Sequence, residues 1–191
     1  MPKPSFVGII AAAGLGRRAG GPKVDLRRAD DPRPFLERSI DALRVAGARA
    51  IVAVVRSPHH QRHHAADTHL LCPEPPPSTM IHSILVALDH VEYGLDLAQP
   101  DGLLLAPVDA PAALEHLPTW LPEALEAHAG QAIVPGFEGR TGHPAWLPQS
   151  QWHKLRTPEC LAHGARAAFA EAIVWPCAHP QVLENVNVPT R

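Results

Sequence analysis

Apolar and polar positions along this chain sort into two alternating kinds of segment. Residues 6–12, "FVGIIAA", form a continuous apolar run that ends against glycine, the pattern of a strand buried on both faces. "RPFLERSIDALRVAGA" then sets Phe35, Leu36, Ile40, Leu43 and Val45 at helical spacing with Gly47 as a stop, which predicts an amphipathic helix. "RAIVAVVR" predicts a second buried strand. "STMIHSILVALDHV" predicts a helix opened by Ser78 or Thr79 after a three-proline stretch. A third strand is expected in "DGLLLAPVDAP", ending abruptly at Pro107. "AALEHLPTWLPEALEAHAG" follows as one helix, or as two broken near Pro118 and Pro122, and "QAIVPGF" and "EAIVWP" read as two short strands.

Strands alternating with helices predict an α/β fold with a mostly parallel sheet and helices on both faces, a three-layer, Rossmann-like arrangement. No repeat, low-complexity tract or domain-sized linker interrupts the pattern, so residues 1–191 are expected to form one domain. "RRADDPRP" is the most flexible-looking stretch. In open sheets of this kind, ligands bind beyond the carboxyl ends of the strands, near the switch point. Three polar features fall at such ends: the glycine loop after the first strand, Asp109 after the third, and "NVN" near the C-terminus.

Composition narrows the partners. With 46% hydrophobic residues, 19% charged and a formal net charge of −2, the chain carries no field that would draw nucleic acid or an anionic membrane, and neither is expected as a partner. No apolar stretch approaches the ~20 residues needed to span a bilayer. Cys72, Cys160 and Cys177 are odd in number and form no C-x-x-C pair, which points away from a disulfide framework or a cysteine zinc site and toward a reducing compartment. Lys3, the apolar run and Ala11, Ala12 and Ala13 imitate a secretory signal. The single lysine, the short run and the glycine segment joined to it favour a cytoplasmic protein.

The glycine loop is the first candidate for chemistry. "GLGRRAGGPK" has the glycine spacing of a P-loop from Gly16 to Gly21, but Pro22 precedes Lys23 and Val24 replaces the hydroxyl residue that would hold Mg²⁺. Gly14, Gly16 and Ala19 match a dinucleotide fingerprint. That motif needs a helix at once and an acid about twenty residues on, whereas Gly20, Gly21 and Pro22 break a helix and the next strand ends much later, at Arg56. A third reading is a loop whose backbone amides wrap a triphosphate, with Arg18 as a bidentate fork and Lys23 as a point charge; the alternative is a turn with solvated cations. Asp109, past a buried strand and between Pro107 and Pro111, suits an oxygen-ligated metal and equally suits capping the next helix. His59/His63 and His60/His64 are i, i+4 pairs with no further ligand in reach of the pattern, as expected for a solvated helix.

"AAGLGRRAGGPK" resembles the A-A-G-x-[SG]-x-R-M-G-x-P-K signature of the MobA-like nucleotidyltransferases, with Ala19 in place of methionine. Further matches follow in order. "RPFLERSIDAL" is similar to the family's P-L-L-E helix, and "MIHSILVAL" to its G-M-x-x-S-L helix with Thr79 in place of glycine. "LLAPVDAP" is similar to the P-V-D-x-P loop, "GRTGHPAWLP" to G-R-x-G-H-P, "HGARAAF" to G-D-x-G-A-R, and "ENVNVP" stands where the family has D-I-D-T-P.

The resemblance implies a nucleotide-diphospho-sugar transferase-like fold and transfer of NMP from an NTP to a phosphorylated small-molecule acceptor, with Mg²⁺ as cofactor. It implies that Ala12, Ala13, Gly14, Gly16, Arg18, Lys23 and Ser83 bind the nucleotide, with Arg18, Lys23 and Asp109 serving the reaction. Asp109 and Asn187 would hold the metal, although Asn185 and Asn187 stand where the family carries aspartates. "AAAG" leans toward CTP over GTP. His143 and Arg166 would lie at the acceptor, a molybdopterin-type cofactor is the favoured acceptor, and a molybdoenzyme is the implied downstream partner. Two rivals stand beside this reading: a nucleotidyltransferase for a sugar phosphate or other phosphorylated alcohol, and a nucleotide-binding or chaperone-like protein that has lost catalysis.

Overall fold

The computed structural model describes residues 4–16, 21–28, 31–61, 65–97, 99–128 and 130–185. Its sheet contains β1 (Phe6–Ala11), β2 (Ala50–Val54), β3 (Thr68–Leu71), β4 (Gly102–Pro107), β5 (Ile133–Phe137), β6 (Arg140–Thr141), β7 (Ala145–Pro148) and β8 (Ile173–Pro176). The order is β3-β2-β1-β4-β7-β5-β6, with β8 on β5. β3, β2, β1 and β4 are parallel to one another. β7 runs antiparallel between β4 and β5, and β8 runs parallel to β5. The sheet is therefore mixed α/β and largely parallel, as the alternating pattern predicts.

Two hydrophobic cores cover its two faces because successive strand residues point to opposite sides. Phe6, Ile10, Ile51, Ala53, Leu104 and Ala106 face the first core, which takes α1 (Phe35–Val45), α3 (Pro111–Glu115) and α4 (Leu117–His128). Val7, Ile9, Val52, Val54, Leu103 and Leu105 face the second, which takes α2 (Met80–Tyr93), α5 (Pro158–His163) and the 3-10 turns Gln149–Arg156 and Ala165–Phe169. The connection from β1 to β2 packs on one face and that from β3 to β4 on the other. Between β1 and β4 the flanking helices diverge, and the carboxyl edge there is a topological switch point with an open crevice.

Several expectations change. The strand expected third is the fourth, since the half-exposed "THLL" of β3 was not recognised, and neither were β6, β7 and α5. Val45, counted on the apolar face of α1, is 78% exposed. "AALEHLPTWLPEALEAHAG" is two helices, broken at His116 near Pro118, with no second break at Pro122. Pro118 sits in the first turn of α4, where its missing N–H costs nothing, and Pro122 is carried inside the helix. Among the described residues, the histidine-rich segment forms a 3-10 turn, Pro58–Gln61; His63 and His64 lie outside them. In "RRADDPRP", Arg28 bridges Asp31, and the Arg33 guanidinium donates to Asp31 at 2.7 Å, which holds that carboxyl at about 2. Among the described residues, no helix is long and apolar enough to cross a membrane.

Candidate functional site

β1 continues past its last ladder residue: the Ala12 amide donates to Val54 O at 2.9 Å. Ala12 turns its methyl into the first core, while Ala13, 2% exposed, faces the opposite side and lines a cavity at the switch point. The loop then closes on itself through the Gly21 amide, which donates to Gly16 O at 3.3 Å. Gly16 has φ +60, and a Cβ there would stand 1.7 Å from Gly21 O, so the closure admits no side chain. Gly14 also lines the cavity, and a Cβ there would meet nothing within 4 Å.

Lys23 begins the 3-10 turn Lys23–Asp25, and its ammonium is ion-paired with the Asp109 carboxylate. The Asp109 side chain is only 7% exposed and that of Lys23 21%. The residue capping α3 is Ala110, which makes no side-chain cap, so Asp109 is not spent on the helix. A nearly buried carboxylate is an oxygen donor of the kind a divalent ion takes, and the ammonium paired with it competes for that oxygen. Among the described residues, no group of three or more His, Cys, Asp or Glu could hold a metal by itself. Asp109 fits a Mg²⁺-like ion that takes one or two carboxylates and completes its shell with phosphate and water oxygens.

The far wall of the cavity is the start of α2. Thr79 caps it, its Oγ1 accepting from the His82 amide at 3.3 Å. Ser83 lines the cavity and is 3% exposed, but its hydroxyl donates back to Thr79 O at 3.3 Å. Arg56, just past β2, closes the same wall: its Nε donates to Ala13 O at 2.9 Å and its Nη2 to Pro77 O at 3.5 Å. Sequence reasoning passed over Arg56. The available signal was a charged residue ending a buried strand at the carboxyl edge. The cavity holds about 250 Å³.

A second cavity of about 300 Å³ shares Ala11, Met80 and Pro107 with the first. Ile84, Leu105, Val134 and Phe169 make it mostly apolar, with Thr141, His143 and Arg166 as its polar side chains. His143 arrives there because β7 runs against β4. Leu105 pairs with Ala145, so the residues leading into β7 stand at the carboxyl end of β4. The His143 amide donates to Val182 O at 2.8 Å. Burial pushes the imidazole below its ordinary range, and the Asp109 charge works in the opposite direction. Arg166 is exposed, in the 3-10 turn Ala165–Phe169.

The structure thus gathers Ala13, Gly14, Gly16, Lys23, Ser83 and Asp109 around one cavity, with His143 and Arg166 around its neighbour. Ala12 lies beside the first cavity without lining it. Arg18 and Asn187 lie outside the described residues. Asn185 is exposed, one residue beyond Glu184, which pairs with Arg28 at 3.0 Å. Chemically, backbone amides, cations and a carboxylate at a switch point can hold a polyphosphate and an oxygen-seeking metal.

The model of the MobA-like NTP transferase domain matches residues 8–178. A search of curated protein sequences found no match. Among solved structures, Rv0371C of Mycobacterium tuberculosis H37Rv, in complex with manganese, is 19% identical over 97% of this chain and 91% of that one, with a TM-score of 0.60. The molybdopterin-guanine dinucleotide biosynthesis protein A of Archaeoglobus fulgidus is 18% identical over 96% and 93%, with a TM-score of 0.60. The 2-C-methyl-D-erythritol 4-phosphate cytidylyltransferase of Francisella tularensis is 14% identical over 94% and 93%, with a TM-score of 0.64. At these identities the likeness concerns the fold, that of the nucleotide-diphospho-sugar transferases.

Proposed function

This chain belongs to the MobA-like NTP transferase family and is a nucleotidyltransferase; from that premise we propose that it moves NMP from CTP, in preference to GTP, onto a phosphorylated acceptor of the molybdopterin type. The observation that carries this reading is the Lys23–Asp109 pair in a cavity that shares a wall with a second, mostly apolar one. A triphosphate lies along the glycine loop, with Gly14 giving close backbone approach and Arg18 and Lys23 giving charge. The acceptor seats its body in the second cavity, beside neutral His143 and under Arg166, and presents its phosphate toward the first.

The reaction needs no protein nucleophile. An acceptor phosphate oxygen attacks the α-phosphorus, the bond from that phosphorus to the β-phosphate bridge oxygen breaks, and pyrophosphate leaves. What the chain supplies is alignment and charge. Lys23 would neutralise the departing pyrophosphate, and Asp109, with Asn187, would hold the metal. A divalent ion, once bound, would neutralise charge on the phosphates and orient them. The apolar walls of the second cavity favour a ring-bearing acceptor over a hydroxyl-rich sugar phosphate, whose hydroxyls would find few partners there. We place the protein in the cytoplasm, in keeping with three free thiols, and its product with a molybdoenzyme.

The test is a panel of the four NTPs against molybdopterin, with Mg²⁺ or Mn²⁺, reading pyrophosphate. Release with one NTP and only with acceptor and metal present is the expected result. Metal-independent nucleotide binding without any release would turn the reading toward a binding protein. Release with a sugar phosphate in place of molybdopterin would move the acceptor class.

A further inference from the structure

Arg56 is half-buried at the carboxyl edge of β2, lines the nucleotide cavity, and is paired with no carboxylate among the described residues. Its hydrogen bonds go instead to main-chain oxygens of two separate segments: Ala13 O in the glycine loop, at 2.9 Å, and Pro77 O in the segment leading into α2, at 3.5 Å. The two segments are far apart in sequence, and both line the cavity. An arginine suits such a bridge because its fork is planar and its donors are fixed relative to one another, so two acceptors held by one guanidinium are held at a set separation.

The grip also orients what lies behind each carbonyl. In a planar trans peptide the C=O and the following N–H point in opposite directions. Fixing Ala13 O therefore fixes the Gly14 N–H, and fixing Pro77 O fixes the Ser78 N–H. Gly14, free of a side chain on its open face, is the residue in most need of such restraint, since glycine loses the most backbone freedom on being ordered.

We propose that Arg56 is a positioning residue that sets the width of the nucleoside slot between Ala13 and residues 77–79. It acts through the two loops rather than through charge on the phosphates. The inference rests on the reading of this cavity as the NTP site.

The test compares wild type with Arg56→Ala and Arg56→Lys by calorimetric titration with CTP, with GTP and with inorganic tripolyphosphate, all with Mg²⁺, alongside unliganded thermal melts. Arg56→Ala is expected to weaken the preferred NTP by about tenfold, the worth of one lost hydrogen-bonded restraint, and to weaken tripolyphosphate less, through the Gly14 amide alone. Arg56→Lys keeps the charge but loses the planar fork that sets the separation, so its NTP affinity should fall between the two. An Arg56→Ala protein that binds NTP as wild type does overturns the proposal. So does equal weakening of NTP and tripolyphosphate, which would make Arg56 a phosphate contact. If Arg56→Ala does not fold, Arg56→Lys carries the same comparison, with a selective loss of NTP affinity expected and an equal loss overturning it. Wild type that binds neither CTP nor GTP removes the NTP reading, and this inference with it, before any variant is made.

Discussion

Lys23 and Asp109, 86 residues apart in sequence, meet as an ion pair that joins the glycine loop to the end of β4. Each side chain holds the other in place while no substrate is bound. The lysine ammonium stands beside the oxygen that a divalent metal would coordinate, so nucleotide and metal must together redistribute this pair.

Lys23→Ala leaves the Asp109 carboxylate nearly buried and short of its cation. With the lysine partly exposed, the expected cost is about 2 kcal/mol, between the values for surface and buried pairs. Urea melts with and without Mg²⁺ check it. The metal should return part of the loss by binding the freed carboxylate, and a variant as stable as wild type without metal would contradict this. Asp109→Asn, which keeps the shape and loses the charge, is expected to lower turnover at least about a hundredfold.

Gly14→Ala and Gly16→Ala should separate folding from binding. At Gly16 the methyl would collide with Gly21 O on a backbone at positive φ, so the loop must open and NTP affinity falls along with local protection from hydrogen exchange. At Gly14 the methyl meets only open space. Its melting temperature should stay at the wild-type value while NTP affinity falls, because the methyl occupies room the ligand uses. Unchanged affinity in Gly14→Ala would show that no ligand approaches that backbone.

His143 gives the site a pH signature. Its imidazole is held below the ordinary value of 6.5 by burial, so the folded protein resists the proton that the unfolded chain accepts. Stability from this group is complete above about 6.5 and is lost as pH falls through the folded-state value, by up to about 1.4 kcal/mol per pH unit. His90 and His116 are lowered by burial too, so the decisive quantity is the difference between wild type and His143→Gln. Denaturant melts between pH 7.5 and 5 should show a shallower decline in the variant. Parallel declines would rule out the contribution.

Arg166 is exposed, so Arg166→Ala should leave stability within about 0.5 kcal/mol. If it grips the acceptor, the KM for acceptor rises about tenfold while the Kd for NTP holds. An unchanged acceptor KM would return Arg166 to the ordinary surface.

What could be read from the chain followed from burial. β1, β2 and β4 are apolar on both faces and announce themselves as runs, and strand-end logic then leads to Lys23 and Asp109. β3 and β7 are four residues each; "THLL" is half-exposed and "AWLP" ends in proline, so neither carries a period. Missing β7 hid the reason that His143 stands at the carboxyl end of β4, which depends on strand direction and not on any local pattern. Arg56 escaped for a related cause: its partners are carbonyls, and carbonyls have no sequence. Ser83 lines the cavity, yet its hydroxyl is engaged with Thr79 O, a helix bond invisible without coordinates.

β7, running against its neighbour β4, carries a consequence for divergence. The walls of the first cavity, which we propose grips the nucleotide, leave the sheet from β1, β2 and β4, whereas His143 hangs from a hairpin anchored on β5 and β7. On that proposal, lengthening or rewriting the hairpin would alter the acceptor's seat without touching a residue of the nucleotide's. A lineage can therefore exchange the molecule it modifies while the transfer machinery is inherited intact.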